Sequence, residues 1–131
     1  MYERKIQKDI RCPLEAFLEI FGGKWNFRIV SILATKKTLR YTELKRLTGP
    51  ITDAVFASAL KSLIANKIIS RKSYNEIPPR VEYTLTEKGI SVIPIFHNIC
   101  QWTDSYIGDK KPDKGISLEQ CKACEYLHKR Q

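Results

Sequence analysis

Residues 42–66 read TELKRLTGPITDAVFASALKSLIAN, and this stretch decides the fold. Its first seven residues predict a short helix that Thr42 caps and that ends at Gly49, with Pro50 beyond it. Thr52 then suits the N-cap of a longer helix. The predicted buried stripe of that helix consists of Phe56, Ala59, Leu60 and Leu63. Two helices joined by a short turn form a helix-turn-helix.

A β-hairpin is predicted directly after these helices. Residues 68–74, IISRKSY, are extended and basic, and residues 80–86, RVEYTLT, alternate between apolar and polar side chains. Pro78 and Pro79 between them forbid a regular strand and form a stiff tip. A hairpin after a helix-turn-helix is a wing. The predicted fold class is therefore mainly α with a small β-hairpin wing (α+β), a winged helix-turn-helix.

Helices are also predicted on both sides of this unit. Residues 13–21 and 24–34 have apolar residues at helical spacing, and residues 38–41 form a short extended link between them and the helix-turn-helix. Residues 87–107 return to a helical pattern, in which Pro94 either kinks the helix or sets its true start.

The last of these helices is apolar on two adjacent stripes, so it must be covered on more than one side. One side can pack on the preceding domain, and we predict that a second subunit covers the other. The N- and C-terminal helices would then be dimerisation helices. The predicted dimer interface comprises Leu14, Phe17, Ile95, Ile99, Trp102 and Tyr106.

The length of 131 residues predicts one folded domain over residues 1–107, followed by a tail over residues 108–131 that holds a possible short helix from Ser117. No apolar run approaches the roughly 20 residues of a membrane-spanning helix. The first twelve residues are charged and do not form a secretory signal. We therefore expect a cytoplasmic protein with no membrane partner.

The charge is unevenly distributed along the chain. There are 23 Lys and Arg residues against 14 Asp and Glu residues, a net charge of +9. Residues 24–50 carry seven of these cations against Glu43 alone. A basic segment of this kind indicates a surface for a polyanion such as nucleic acid, although a merely solvated basic face would have the same composition.

Several short motifs, taken in order, resemble one known family. They are Cys12-Pro13, Gly22-Gly23-Lys24-Trp25, Leu39-Arg40-Tyr41-Thr42-Glu43-Leu44, Pro78-Pro79-Arg80-Val81-Glu82-Tyr83-Thr84-Leu85-Thr86 and Gly89. The set resembles the HxlR-type winged-helix transcriptional regulators of bacteria and archaea and runs from about Cys12 to Tyr106. The resemblance implies a homodimer that binds operator DNA. It also implies that a cysteine at the position of Cys12 senses electrophiles or oxidants in some members.

The second helix of a helix-turn-helix presents its N-terminal part to base edges in the major groove. The predicted groove-facing residues are Thr52, Asp53, Ala54, Ala57, Ser58 and Lys61. Relatives tend to carry Gln, Lys or Thr at the positions after the cap, so Asp53 and the two alanines depart from the family pattern. A carboxylate repels phosphate but can accept a hydrogen bond from cytosine N4, and alanine can contact a thymine methyl. We therefore expect sparse base readout, with DNA shape contributing more of the specificity.

Phosphate contacts are expected from basic residues around the helix-turn-helix, because such contacts fix register. Arg40 and Lys45 are favoured, then Lys24, while Arg28 and Arg46 are further candidates. The predicted wing contacts are Arg71, Lys72, Ser73 and Arg80. Arg80 has two open roles: it enters the minor groove, or it holds the base of the wing through Glu82 or Glu76.

Cys12 precedes Pro13 at a helix N-terminus, where the helix dipole and Arg11 favour a thiolate that oxidants can attack. Cys100 of the other subunit is its candidate disulfide partner. The alternative is that Cys12 is a small cap residue that is never modified. Cys121 and Cys124 form a CxxC with His128 nearby, a weak signal from which we predict no metal site and no cofactor.

The sequence as a whole predicts a sequence-specific regulator that binds a double-stranded DNA operator, with a small-molecule or oxidant effector left open. It is not expected to be an enzyme, because it has no P-loop, GxGxxG, HExxH or GxSxG motif. One alternative is a non-specific architectural DNA-binding protein, or a winged-helix interaction protein, without redox sensing. Another is a redox or metal-handling protein that uses the C-terminal cysteines.

Overall fold

A computed structural model describes residues 9–108 of the chain. The predicted tail helix from Ser117 and the CxxC lie outside these residues. The helices are α1 (Pro13–Phe21), α2 (Lys24–Lys36), α3 (Tyr41–Thr48), α4 (Asp53–Ala65), α5 (Glu87–Ser91) and α6 (Ile93–Thr103), followed by a π-helical turn at Asp104–Gly108. The strands are β1 (Leu39–Arg40), β2 (Ile69–Tyr74) and β3 (Arg80–Leu85).

The three strands form one antiparallel sheet in the order β1-β3-β2. Strands β2 and β3 make the hairpin, with Ile69 opposite Leu85 at its base and Tyr74 opposite Arg80 near its tip. Strand β1 pairs on the other edge of β3, with Leu39 opposite Tyr83. The predicted wing is confirmed, and the extended link before the helix-turn-helix forms its third strand.

The helix-turn-helix consists of α3 and α4. The Thr52 side chain caps α4 and accepts a hydrogen bond from the backbone N–H of Val55 at 3.2 Å, as predicted. The predicted cap at Thr42 is wrong, because α3 begins at Tyr41 and Arg40 occupies its N-cap. Arg40 pairs with Glu82 in the sheet, so the chain stays extended until that residue and turns helical directly after it.

The predicted long helix over residues 87–107 is divided into α5 and α6 at Val92. Pro94 lies in the first turn of α6, where its missing N–H has no intrahelical partner to lose. It therefore sets a helix start, one of its two predicted roles. The Thr86 hydroxyl caps α5, accepting from the N–H of Gly89 at 3.0 Å and donating to the carbonyl of Lys67 at 2.5 Å.

The core lies between α2, α4, the sheet and α6. Its fully buried side chains include Ile29, Leu33, Leu44, Phe56 and Leu63. The two flanking helices join this core through aromatic contacts, in which the Phe96 ring on α6 lies 5.1 Å from Phe21 and 4.8 Å from Phe27. Within residues 9–108 no helix is both long and apolar enough to cross a membrane.

Candidate nucleic-acid interface

Helix α4 presents one side to the core and the other to solvent. Phe56, Leu60 and Leu63 are buried. The exposed side carries all the predicted groove-facing residues: Thr52, Asp53, Ala54, Ala57, Ser58 and Lys61. Val55 is also exposed at the start of this face, and the sequence analysis missed it. The structure thus places α4 with a free face of the kind that a recognition helix needs.

Most side chains on this face are small. Ala54, Ala57 and Ser58 extend only one heavy atom or two beyond the backbone. A face of this kind allows the helix axis to approach the floor of a groove closely, and methyl groups can contact thymine C5-methyls. The long polar side chain on the face is that of Lys61, one turn beyond Ala57.

The charge of Asp53 is partly balanced by its neighbour on α3. The Lys45 ammonium lies 3.5 Å from a carboxylate oxygen of Asp53, and this pair bridges the two helices. The Asp53 side chain is 84% exposed, whereas that of Lys45 is 29% exposed. The lysine therefore lowers the repulsion that Asp53 would exert on a phosphate while leaving the carboxylate accessible.

Tyr41 lies under the same end of α4, where its ring packs edge-on against Phe56 at 5.0 Å. Burial raises the pKa of Tyr41 above its ordinary value, and the negative charges of Asp53 and Tyr83 raise it further. The phenol therefore keeps its proton, and with it a hydrogen-bond donor, to higher pH than an ordinary tyrosine does.

Arg28 is half-buried, and its guanidinium makes contacts within the chain. Its Nη1 donates to the carbonyl of Thr48 at 3.0 Å, and its guanidinium lies over the Trp25 ring at 5.2 Å. Gly49, at φ +107°, follows Thr48, and a Cβ there would lie 3.3 Å from the same Nη1. Arg28 thus caps the C-terminus of α3, and its contact with phosphate stays a prediction. Sequence reasoning missed this role because the two groups are 20 residues apart.

The remaining cations around the helix-turn-helix differ in whether they are exposed or already paired within the chain. Arg46 pairs with Glu43 on the same helix. Lys24 and Arg40 are exposed, Lys24 with its ammonium 4.8 Å from the Trp25 ring and Arg40 at the start of α3. Arg40 and Lys24 are therefore accessible to a polyanion, while Lys45 is half-buried beside Asp53.

The predicted contact residues of the wing fall into two groups, those that are exposed and one that is ion-paired within the chain. Arg71, Lys72 and Ser73 are exposed on β2. Arg80 instead pairs with Glu76 at 3.0 Å and Glu82 at 3.7 Å, and its guanidinium lies 3.9 Å from the centre of the Tyr74 ring. Of its two predicted roles, these contacts correspond to holding the wing.

Helix α4 and the wing border a common groove of about 370 Å³. Three predicted contact residues line it together: Ala57 and Lys61 from α4, and Arg71 from β2. The recognition face and the basic strand of the wing therefore form one continuous surface.

A second surface lies on α1 and α6. Leu14, Ile95, Ile99, Trp102 and Tyr106, all predicted for a dimer interface, are exposed large apolar side chains. Phe17 differs, because its ring packs 5.0 Å from Phe21 within the same chain and is only half-exposed. Leu18, which the prediction omitted, is exposed one turn after Leu14. Exposed apolar area of this extent is typical of an interaction surface.

The two cysteines of the described region lie at this second surface. Cys12 is exposed at the N-cap of α1, where its side chain makes no capping hydrogen bond, and Cys100 is partly exposed on α6. Among residues 9–108, no group of three or more His, Cys, Asp or Glu side chains could hold a metal ion. Cys121, Cys124 and His128 lie outside that range.

Comparisons with known proteins point to one family. The family model described as HxlR-like helix-turn-helix matches residues 20–111. An uncharacterised HTH-type transcriptional regulator of Halalkalibacterium halodurans is 39% identical over 101 residues, which are 77% of this chain and 89% of that protein.

Two solved structures of regulators are also similar. The reduced form of the transcriptional regulator YodB from B. subtilis aligns with a TM-score of 0.68 and 31% identity, over 75% of this chain and 96% of YodB. The redox regulator HypR in its oxidised form aligns with a TM-score of 0.62 and 35% identity, over 72% of this chain and 96% of HypR.

An arginine that holds the fold, such as Arg28, and an exposed one, such as Arg40, should differ in how much they contribute to the free energy of unfolding. We expect Arg28→Ala to lower the free energy of unfolding by about 1.5–3 kcal/mol, because a charged hydrogen bond is lost and the Thr48 carbonyl is left without its donor. Arg40→Ala, at an exposed site, should change it by no more than about 0.5 kcal/mol. Urea unfolding followed by circular dichroism measures both, and equal effects would contradict the assigned role of Arg28.

Proposed function

Because the chain belongs to the HxlR-like helix-turn-helix family, and is thus a winged-helix transcriptional regulator and not an enzyme, we propose that it is a homodimer that recognises a specific operator of two half-sites. Each subunit would insert α4 into a major groove, with its wing alongside. The two half-sites would be related by the two-fold axis of the dimer, about one helical turn apart or a small multiple of that distance.

The observation that carries this proposal is the continuous surface of α4 and the wing. It combines a row of small, exposed side chains with exposed Lys61 and Arg71. Two more exposed cations are available, Lys72 on the other face of β2 and Arg40 before α3. Small side chains permit close approach to the bases, whereas the surrounding cations neutralise phosphates.

Dimer formation is supported by the exposed apolar residues of α1 and α6. The rings of Trp102 and Tyr106 are in tilted contact, with their centres 5.5 Å apart, and both are well exposed in the single chain. Burying these side chains against a second copy would remove them from water, which is the main source of stability in dimer interfaces.

The test is binding of the reduced protein to a duplex that it selects from a random-sequence library, against a scrambled duplex, by fluorescence anisotropy. We expect a preference of about a thousandfold or more near physiological salt, with two chains per duplex. Binding should weaken steeply with salt, and Arg40→Gln should lower the slope by about one phosphate contact. Equal binding to both duplexes would favour the architectural alternative instead.

Asp53 is the proposed specificity residue within this site. Its carboxylate is the first charged group of α4, it is accessible, and Lys45 balances its charge. A carboxylate in the major groove accepts from the N4 amino group of cytosine and offers no donor to the other bases. We infer that each half-site contains a cytosine opposite the start of α4.

Repeating the selection from a random-sequence library with variants of Asp53 and Glu43 tests this assignment. Asp53→Asn should shift the selected base from cytosine towards adenine, because an amide can both donate to N7 and accept from N6, and the change of preference should be about tenfold or more. Glu43→Gln is the matched control, since it neutralises a carboxylate on α3 that pairs with Arg46. An unchanged consensus for Asp53→Asn would refute the assignment.

Redox control is a second proposed function, which the exposure of Cys12 and the likeness to HypR and YodB support. Cys12 begins α1 and Cys100 is on α6, so both belong to the helices that carry the exposed apolar surface. If α1 packs on α6 of the partner, oxidation would join Cys12 of one subunit to Cys100 of the other. The two thiols would give up two electrons and two protons to the oxidant.

A variant with Cys121→Ser and Cys124→Ser isolates this reaction, because Cys12 and Cys100 are then its only thiols. Treatment with diamide, which is reduced to its hydrazine, should give a covalent dimer on a non-reducing gel that dithiothreitol reverses. Adding either Cys12→Ser or Cys100→Ser should abolish the dimer. A dimer that survives Cys100→Ser, or no dimer at all, would contradict the pairing.

A further inference from the structure

The tip of the wing carries an apolar side chain where a cation would be expected. Ile77 lies between Glu76 and Pro78 and is fully exposed, at 102% of its reference surface. Apart from Ile10, which precedes α1, the other large exposed apolar side chains lie on the helices and the π-helical turn, and within the described part of the chain Ile77 is the one on the hairpin tip. Packing within its own chain therefore does not explain why an apolar residue occupies position 77.

The cations of the wing do not extend to its tip. Arg80, the nearest arginine, is held by Glu76 and Glu82, and its guanidinium lies 3.9 Å from the centre of the Tyr74 ring. Lys72 lies on the same face of the hairpin, opposite Glu82, with its ammonium 5.0 Å from the Tyr74 ring. The exposed cations Arg71 and Lys72 therefore lie on the stem of the hairpin, while the tip itself presents an isoleucine.

The tip is also stiff. Pro78 and Pro79 fix two φ angles directly after Ile77. Below them, the Tyr74 ring and the ion pairs of Arg80 close the end of the hairpin. A side chain mounted in this way loses little conformational freedom when it inserts into another molecule.

We propose that Ile77 is a wedge that enters the minor groove flanking the bound major groove, partly unstacks one base step and bends the operator. The inference rests on the proposed function, since it requires α4 in the major groove. Apolar side chains inserted between base steps kink DNA in this way in other minor-groove-binding proteins, and pyrimidine–purine steps such as TA yield most easily.

The reach of the wing agrees with this placement. Arg71 lies at the groove shared with α4, and Ile77 is the sixth residue after it. The first three of these steps lie in β2 and cover about 10 Å at about 3.3 Å per residue, and the loop after Tyr74 carries Ile77 beyond the end of the strand. A minor groove follows a major groove after half a helical turn, about 17 Å along the DNA.

Three variants test the wedge on the duplex that the wild-type protein selects from a random library, labelled at both ends for energy transfer. We expect the wild-type protein to bend this duplex. Ile77→Ala should reduce the bend and weaken binding to the selected duplex about tenfold, because the apolar insertion is lost. Ile77→Leu, which keeps an apolar side chain, should restore both. Thermal unfolding should not change, since Ile77 has no contacts to lose.

Ile90→Ala is the matched control, because Ile90 is an exposed isoleucine on α5, outside the proposed interface. It should bind and bend the duplex as the wild-type protein does. If Ile77→Ala also bends and binds like the wild type, or if Ile90→Ala weakens binding as much, the wedge is wrong while operator recognition stands. A wild-type protein without preference for its selected duplex would instead overturn the proposed function, and the wedge with it.

Discussion

The position of the helix-turn-helix depends on one half-buried contact, the guanidinium of Arg28 against the end of α3. The bond from Nη1 to the Thr48 carbonyl and the contact with Trp25 fix α2 to the turn between α3 and α4. At that turn, Gly49 adopts a φ of +107°, which a residue with a side chain rarely does, and a Cβ there would press on Arg28 Nη1 at 3.3 Å. Helix α4 can therefore project its small side chains because the turn before it is held from inside the protein.

Other cations, like Arg28, are also held by contacts within the chain. The net charge of +9 suggests a generally basic molecule, yet several cations are committed to contacts within the chain. Arg28, Arg46 and Arg80 stabilise α3 and the wing, whereas Arg40, Arg71 and Lys72 remain exposed. Since only accessible cations release counterions from DNA, the expected salt dependence follows the exposed group and not the net charge.

The features that local chemistry controls could be predicted from the sequence. Thr52 caps α4, Pro94 begins α6, and the alternation around Tyr83 gives the strand of the wing. The prediction of a cap at Thr42 failed because it depends on a distant residue. Pairing with Glu82 keeps the chain extended to Arg40, so the N-cap of α3 lies at Arg40 and not at Thr42. The role of Arg28 required the tertiary contacts, because its carbonyl partner lies 20 residues away, whereas for Arg80 the nearby Glu76 and Glu82 left two roles open until the fold was known.

The packing also indicates how events at the apolar surface would influence α4. Phe96 on α6 contacts Phe21 at the end of α1 and Phe27 on α2, so these three helices meet in one aromatic cluster. Phe27 is adjacent in sequence to Arg28, which holds the turn before α4. Protein interiors are too densely packed to absorb a shift of α1 or α6 locally, so the displacement would pass to α2. A covalent bond or a ligand at the α1–α6 surface would then change the spacing of the two recognition helices without touching either of them, provided that it favours one arrangement of the dimer over another.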